Sequence, residues 1–285
     1  MISWGISAVH THRLIDDIIR LALEEDGPDI TTEAIFPAEA TLDAVMKAKE
    51  HGVIAGLDVA AGVFFITDPA IVCTFDVKDG DAVSPGQRIA VVTGPARGIL
   101  KAERVALNFL QRMSGIATMT AQYVHRLQET QARILDTRKT APGQRLLDKA
   151  AVRCGGGQNH RMGLFDMALI KDNHIDAAGS MPEAVARVRR TCPGIPVEVE
   201  ARTIDDVRTL LELKVDRIML DNFSLDMMRR AVALVAGRVP LEASGGITLE
   251  TVRDVALTGV DYISAGEITH SVRALDISMI IEEAR

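Results

Sequence analysis

The residues of this chain that could do chemistry are cations, carboxylates and glycines; no Ser-His or Cys-His nucleophile pair is evident. Arg138-Lys139 follow one apolar run, Arg161 follows His160, and Lys171 closes another apolar run. Guanidinium groups grip carboxylates and phosphates through paired hydrogen bonds, and Lys adds a mobile point charge. Glu198 and Glu200 stand two apart in a valine-rich run, so in a strand they share a face. If that face is an interior, two carboxylates there need a paired or functional role; the blander reading is a face in water. Asp221 ends a run of Ile, Met and Leu. With Glu200 it could bind sugar hydroxyls or a hard cation such as Mg²⁺, which takes oxygen ligands; the plain alternative is helix capping by Asp221 ahead of Ser224. Gly155-Gly156-Gly157 precede Gln158-Asn159-His160-Arg161, and glycines let backbone approach a bound anion closely. Ser244-Gly245-Gly246 and Ala265-Gly266 follow the last two apolar runs, where α/β barrels often bind phosphate through backbone N–H groups.

These groups belong to an acidic chain. The 285 residues carry 32 Lys and Arg against 39 Asp and Glu, a net charge of −7, which argues against nucleic acid or an anionic membrane as a general partner. The charge is unevenly spread. Arg97 to Lys171 holds 13 basic and five acidic residues, a local +8, leaving −15 elsewhere. Part of that excess reads as solvated helix surface: Lys101, Arg112, Arg126, Arg145 and Lys149. Arg138, Lys139 and Arg161 fit that reading poorly, because they adjoin apolar strands or glycines. They suit a pocket for one or two small polyanions. Cys73, Cys154 and Cys192 form no CxxC pair, so zinc and dithiol sites are not expected; Cys154 reads as a packing residue. Met1–Thr11 lacks the basic and apolar regions of a leader, and no apolar run is long enough for a membrane span. A reduced, cytoplasmic setting is expected. His10, His12, His51 and His125 have no partner spacing and read as surface residues.

The elements that must position these groups are legible in the apolar periodicity. Residues 13–25 read as a helix, 42–49 and 71–77 as strands, and 98–130 as a helix with an interruption at Ser114-Gly115. From 131 onward strand-like runs (132–137, 167–172, 196–201, 216–222, 240–246 and 260–266) alternate with amphipathic stretches. Ser180, Thr203, Ser224 and Thr248 are candidate helix N-caps. This alternation implies βαβ units and parallel strands, closed into a barrel or open as a doubly wound sheet. Polar residues or glycines end almost every strand, and in parallel α/β folds chemistry collects at the carboxyl ends.

Taken together, Glu103–Asn108, Ser114–Thr118, Asp136–Gly143, Gly155–Arg161, Leu169–His174, Glu198–Glu200, Met219–Asn222, Glu242–Gly246 and Thr269–Ser271 resemble the quinolinate phosphoribosyltransferase family. These motifs run nearly end to end; the first hundred residues match more loosely. The resemblance implies an α/β fold made of an N-terminal α/β sandwich (1–112, with 272–285 packing back on it) and an open α/β barrel of parallel strands (113–271). It implies phosphoribosyl transfer from phosphoribosyl pyrophosphate to quinolinate with decarboxylation, giving nicotinate mononucleotide, pyrophosphate and CO₂ with Mg²⁺ as cofactor. Arg138, His160, Arg161 and Lys171 would meet the quinolinate carboxylates. Thr137 would join the substrate-binding set. Lys139 and Lys171 would hold pyrophosphate, while Glu200 and Asp221 would face the ribose hydroxyls and Mg²⁺, largely through substrate and water. These four would carry the chemistry. Ser244, Gly245, Gly246 and Gly266 would hold the 5′-phosphate. Arg104 would enter the neighbouring subunit's site, so the resemblance implies a homodimer, with room for assembly into a hexamer.

Three alternatives are set beside this reading. A paralogue such as the molybdenum-transport-associated relative would share the fold with another substrate, but the intact Asn159-His160-Arg161 and Lys171–His174 stretches favour quinolinate. A nicotinate phosphoribosyltransferase would need to grip only one carboxylate. Residues 79–87 are similar to the hairpin of biotinyl or lipoyl carriers, yet Lys47 and Lys49 lie too far upstream, so a shared turn geometry is the expectation.

Overall fold

The six strand runs expected after residue 131 form one all-parallel sheet, and the first third of the chain forms a separate antiparallel one. A computed structural model describes residues 8–284, so the leader reading of Met1–Thr11 lies partly outside the described residues. In chain order the elements are α1 (Ala8–Asp26), α2 (Ile30–Ile35), β1 (Thr41–Ala48), β2 (Gly52–Val53), α3 (Leu57–Thr67), β3 (Val72–Phe75), β4 (Ala82–Val83), β5 (Arg88–Pro95), α4 (Ala96–Arg126), β6 (Arg133–Leu135), α5 (Arg145–Cys154) and β7 (Ala168–Ile170). There follow α6 (Asp172–Ala178), α7 (Met181–Thr191), β8 (Val197–Ala201), α8 (Ile204–Glu212), β9 (Arg217–Asp221), α9 (Leu225–Val235), β10 (Leu241–Ser244), α10 (Val252–Ala256), β11 (Tyr262–Ser264), α11 (Glu267–His270) and β12 (Ile277–Ala284). They divide into two compact units. One holds the described residues up to Ala121, Thr140–Gly156 and the chain from Thr269 on; the other holds Gln122–Lys139 and Gly157–Ile268.

In the first unit the sheet order is β12-β1-β5-β3, so the C-terminal strand pairs antiparallel with β1. Leu42, Ala44, Val45, Met46, Ile89, Ala90 and Val92 bury this sheet's apolar side chains, and α3 and α4 contribute Val63, Phe64, Ile99, Leu107 and Leu110 to the unit's core. No break interrupts α4 at Ser114-Gly115. Gly115 serves close approach instead: a Cβ there would lie 2.2 Å from the Arg273 carbonyl oxygen. Ser114 Oγ accepts the Ala55 N–H at 3.1 Å, so its polarity is used within the core. Two of the expected surface cations are otherwise placed. Lys149 is fully buried. Arg112 donates two hydrogen bonds, of 3.1 and 2.9 Å, to the buried carboxylate of Asp148. The packing of α5 beneath α4 puts both groups where a bare helical periodicity would place a wet face. Lys47 lies within β1, 3.7 Å from Glu282, and not on a carrier-type turn.

In the second unit the order is β6-β11-β10-β9-β8-β7, every pairing parallel. Its helices start where short polar side chains satisfy the first free N–H groups, a contribution of about 1 kcal/mol each. Ser180 accepts from Glu183, Thr203 from Asp206 and Ser224 from Met227. Ser224 as cap removes the capping role considered for Asp221. Thr248 does not cap a helix: its carbonyl accepts the Thr251 and Val252 N–H groups in a turn before α10. Val197, Val199, Ile218, Leu220, Leu241, Ala243 and Ile263 are buried on one sheet face. In-register pairs in a parallel sheet share a face, so the other carries Glu198 and Glu200, Arg217, Glu242 and Ser244, and Tyr262 and Ser264. Glu198 and Glu242 have no exposed surface, so this polar face is an interior and the solvent-facing alternative for Glu198 does not hold.

Candidate active site at the carboxyl edge of the parallel sheet

Twelve of the thirteen candidate substrate residues belong to the second unit and gather on segments at one edge of its sheet. Thr137, Arg138 and Lys139 follow β6, Lys171 follows β7, Glu200 is the penultimate residue of β8, and Asp221 ends β9. Ser244 ends β10 ahead of Gly245-Gly246, and Gly266 lies two residues beyond β11. Parallel pairing makes these ends coincide, as one register offsets each strand against the next. Arg138, Lys139, Lys171, Gly245 and Gly246 are exposed, while Thr137, Arg161, Glu200, Asp221, Ser244 and Gly266 are partly covered. Arg104 is the thirteenth; it is exposed on α4 in the first unit.

His160 and Arg161 reach this edge through a short extension of the sheet. Gln158 donates its N–H to Ile134 O at 2.9 Å and accepts the Asp136 N–H at 3.2 Å, forming a parallel bridge with Leu135. The buried Asp136 carboxylate then accepts the His160 N–H at 2.9 Å and a hydrogen bond from the Asn159 amide. Beyond it, Asp166 accepts the Met162 and Gly163 N–H groups at 2.7 and 3.0 Å, and Arg161 Nη1 donates to Met167 O at 3.1 Å. Among the described residues neither Arg138 nor Arg161 forms an ion pair. Burial, and then the nearby Arg138 charge, lower the proton affinity of Arg161. Two neighbouring guanidiniums outside any ion pair suit an anion from solution. Lys171 Nζ lies 2.5 Å from Glu200 Oε1, so one cation and one carboxylate of the edge occupy each other.

The resemblance puts His160 among the groups that would meet the quinolinate carboxylates; its side chain is buried at the centre of an acidic cluster. Its Nε2 is 3.0 Å from Glu198 Oε2 and 3.4 Å from Glu242 Oε2. Arg217 completes the cluster, 2.9 Å from Glu242 Oε2 and with its guanidinium 4.3 Å from the centre of the Tyr262 ring. Burial opposes charging of His160, while the two carboxylates push its pKa up to about 9. Nδ1 accepts the Arg161 N–H at 2.7 Å, which turns Nε2 to the carboxylates. Burial raises the Glu198 pKa, whereas His160 and Arg217 hold Glu242 below its ordinary value. The His160, Glu198 and Glu242 donor atoms lie within 4.8 Å of one another, a spacing that could hold a cation, but Arg217 already supplies one. The role of Glu242 and Arg217 was missed in the sequence because neither stands at the carboxyl end of a strand; only their shared face with Glu198 reveals it.

The two glycine motifs differ in purpose. Gly245 and Gly246 have φ of 105° and 60°, and a Cβ on Gly245 would lie 2.2 Å from Asn222 Oδ1, so this loop is built on glycine. At Gly155 the constraint is packing, since a Cβ there would lie 2.4 Å from Ala117 O, and at Gly156 it is a left-handed φ of 84°. Cys154 beside it is partly covered, and burial pushes its thiol up to about 11, in keeping with a packing residue. His51 and His125 are exposed, as expected; the side chains of His10 and His12 lie outside those described.

Comparison with known proteins gives one consistent result. Two family models match, "Quinolinate phosphoribosyl transferase, N-terminal domain" over residues 29–114 and "Quinolinate phosphoribosyl transferase, C-terminal domain" over 116–280. The chain is 47% identical to "Quinolinate phosphoribosyltransferase [decarboxylating] 2, mitochondrial" of Nicotiana glauca, covering 94% of this chain and 82% of that protein. It is 47% identical to "Nicotinate-nucleotide pyrophosphorylase [carboxylating]" of Mycobacterium leprae, covering 92% and 95% respectively. Among solved structures, the nicotinate-nucleotide pyrophosphorylase from Francisella tularensis superposes with a TM-score of 0.92 at 39% identity, covering 95% of this chain and 96% of that one.

Proposed function

The chain belongs to the quinolinate phosphoribosyltransferase family, and we propose that its reaction takes place at the carboxyl edge of the six-stranded sheet. The activity is transfer of the phosphoribosyl group from phosphoribosyl pyrophosphate to quinolinate with decarboxylation, a step of NAD biosynthesis that yields nicotinate mononucleotide, pyrophosphate and CO₂. The observation that carries the residue assignment is the pair Arg138 and Arg161, neither in an ion pair among the described residues, beside the Lys171–Glu200 pair.

Arg138 and Arg161 grip the quinolinate carboxylates, and Lys171 turns to them from Glu200. His160 is committed to Glu198, Glu242 and the Arg161 N–H, so its part is to set Arg161 in place. The pyridine nitrogen is itself the nucleophile, so the reaction needs no activated Ser or Cys. It attacks the anomeric carbon of the ribose as pyrophosphate departs. Lys139 and Lys171 neutralise the charge that builds on the leaving group. Glu200 and Asp221 hold the ribose hydroxyls and favour the positive charge developing on the sugar. The backbone of Ser244–Gly246 and of Gly266 takes the 5′-phosphate, with Thr137 lining the site. Loss of CO₂ leaves a carbanion adjacent to the cationic ring nitrogen, so the substrate stabilises its own intermediate and the protein mainly orients and desolvates.

Glu200 and Asp221 are oxygen donors on neighbouring strand ends, a donor set that fits Mg²⁺. These two residues would hold it, largely through substrate and water, and when bound it would add positive charge against the departing pyrophosphate. Arg104, exposed on α4, enters the site of a neighbouring subunit, making a homodimer the minimal active unit and leaving a hexamer open as a higher assembly. No helix among the described residues is long and apolar enough to cross a membrane. We propose a cytoplasmic location, and the net charge of −7 argues against nucleic acid or an anionic membrane as a general partner.

Incubation with quinolinate, phosphoribosyl pyrophosphate and Mg²⁺ should give nicotinate mononucleotide, and omission of any one should abolish it. Product formation undiminished by chelation of Mg²⁺ would remove the metal from the reading. Mixing the inactive variants Arg104→Ala and Lys171→Ala should restore activity to roughly a quarter of wild type, because random exchange leaves one intact site in half of the dimers. No recovery after demonstrated subunit exchange would mean that Arg104 serves its own subunit or none.

A further inference from the structure

We propose that Tyr123 is a positioning residue for the phosphate end of the site: it holds the Glu267 carboxylate and thereby sets the Gly266 loop. This rests on the assignment of Gly266 to the 5′-phosphate. Tyr123 lies in the last turn of α4 and is fully buried, and its hydroxyl donates to Glu267 Oε2 at 2.5 Å. A buried tyrosine hydroxyl needs a partner, and a charged acceptor makes a strong one. Burial and the Glu267 and Glu250 charges raise its pKa, so the phenol keeps its proton and remains the donor.

Glu267 directly follows Gly266. Unheld, its carboxylate could swing towards a phosphate dianion and repel it. Held by Tyr123, the negative charge is fixed and the adjoining peptide is tied to a 31-residue helix. The same end of α4 is tied to the segment behind the other phosphate loop. Arg253 of α10, which follows the Ser244–Gly246 loop, donates to Arg126 O and Gln128 O, each at 3.1 Å. One helix end thus anchors the chain behind both loops.

Tyr123→Phe removes the hydroxyl and keeps the ring. It should raise KM for phosphoribosyl pyrophosphate about tenfold, as expected for one charge-assisted hydrogen bond, and leave KM for quinolinate and kcat within about twofold. Calorimetry with ribose 5-phosphate should show the same loss without turnover. Glu267→Gln, whose amide oxygen still accepts from Tyr123, should stay near wild type. Adding it to Tyr123→Phe should recover most of the loss, because no charge is then left unheld. An unchanged KM for phosphoribosyl pyrophosphate, an equal rise in both KM values, or a double variant no better than Tyr123→Phe would overturn the proposal. So would a loss in Glu267→Gln alone as large as that in Tyr123→Phe. If the wild-type protein forms no nicotinate mononucleotide, the active-site reading fails, and the ribose 5-phosphate measurements still test the role of Tyr123.

Discussion

Arg161→Ala should weaken quinolinate binding by at least about 100-fold, the loss expected when two charge-assisted hydrogen bonds to a carboxylate disappear. The fold should survive. Within the protein Arg161 contributes one side-chain hydrogen bond, to Met167 O, whereas the loop itself is closed by Asp166. Calorimetric titration with quinolinate, alongside a thermal melt, separates the two effects. Arg161→Lys should fall between wild type and Arg161→Ala, since it keeps the charge and loses the planar fork. Affinity for quinolinate close to wild type in Arg161→Ala would show that the carboxylates are gripped elsewhere.

Glu242→Ala should destabilise the protein by about 3–5 kcal/mol, the usual consequence of removing one partner from a buried charge cluster. Arg217 would lose its 2.9 Å contact, and His160 would face Glu198 alone. Glu242→Gln should cost less, because its amide oxygen can still accept from Arg217. The pH dependence has a definite sign. His160 and Arg217 outweigh burial and hold the Glu242 carboxyl below its ordinary value of 4.5. Its contribution to stability is therefore fully present above about pH 4.5 and is lost as the pH falls through its lowered native value. Urea unfolding across that range should show wild type losing stability in acid more steeply than Glu242→Gln. A Glu242→Ala loss below about 1 kcal/mol would mean that the cluster does not hold the barrel interior together.

Much of the candidate edge was legible in the residues because strand ends announce themselves. A β-branched run that stops at Asp221 or at Ser244-Gly245-Gly246 marks both the end of a strand and a polar group placed beyond it. Caps were legible for the same local reason at Ser180, Thr203 and Ser224, where the side chain reaches an N–H only a few residues on. Thr248 carries the same type of side chain, but a turn intervenes before α10. Gly115 was misread as an interruption for a different reason, and the packing at Gly155 was not legible either. Their small size answers to chain that is remote in sequence at Gly115, and to the facing helix at Gly155.

What the sequence determined by itself was the local and periodic part: alternating strands and helices, the inventory of cations and carboxylates, and a basic stretch hidden within a net charge of −7. Only the tertiary structure decided how that stretch divides. Arg138, Lys139, Arg161 and Lys171 come to the edge of the parallel sheet, whereas Arg112 turns to the buried Asp148 and Lys149 is buried with it in the other unit. Only the structure decided, too, that His160 faces inward to Glu198 and Glu242. A side chain's charge and shape are properties of its residue, but its partner is set by register between strands far apart in the chain. Glu198, Arg217 and Glu242 meet because β8, β9 and β10 are aligned.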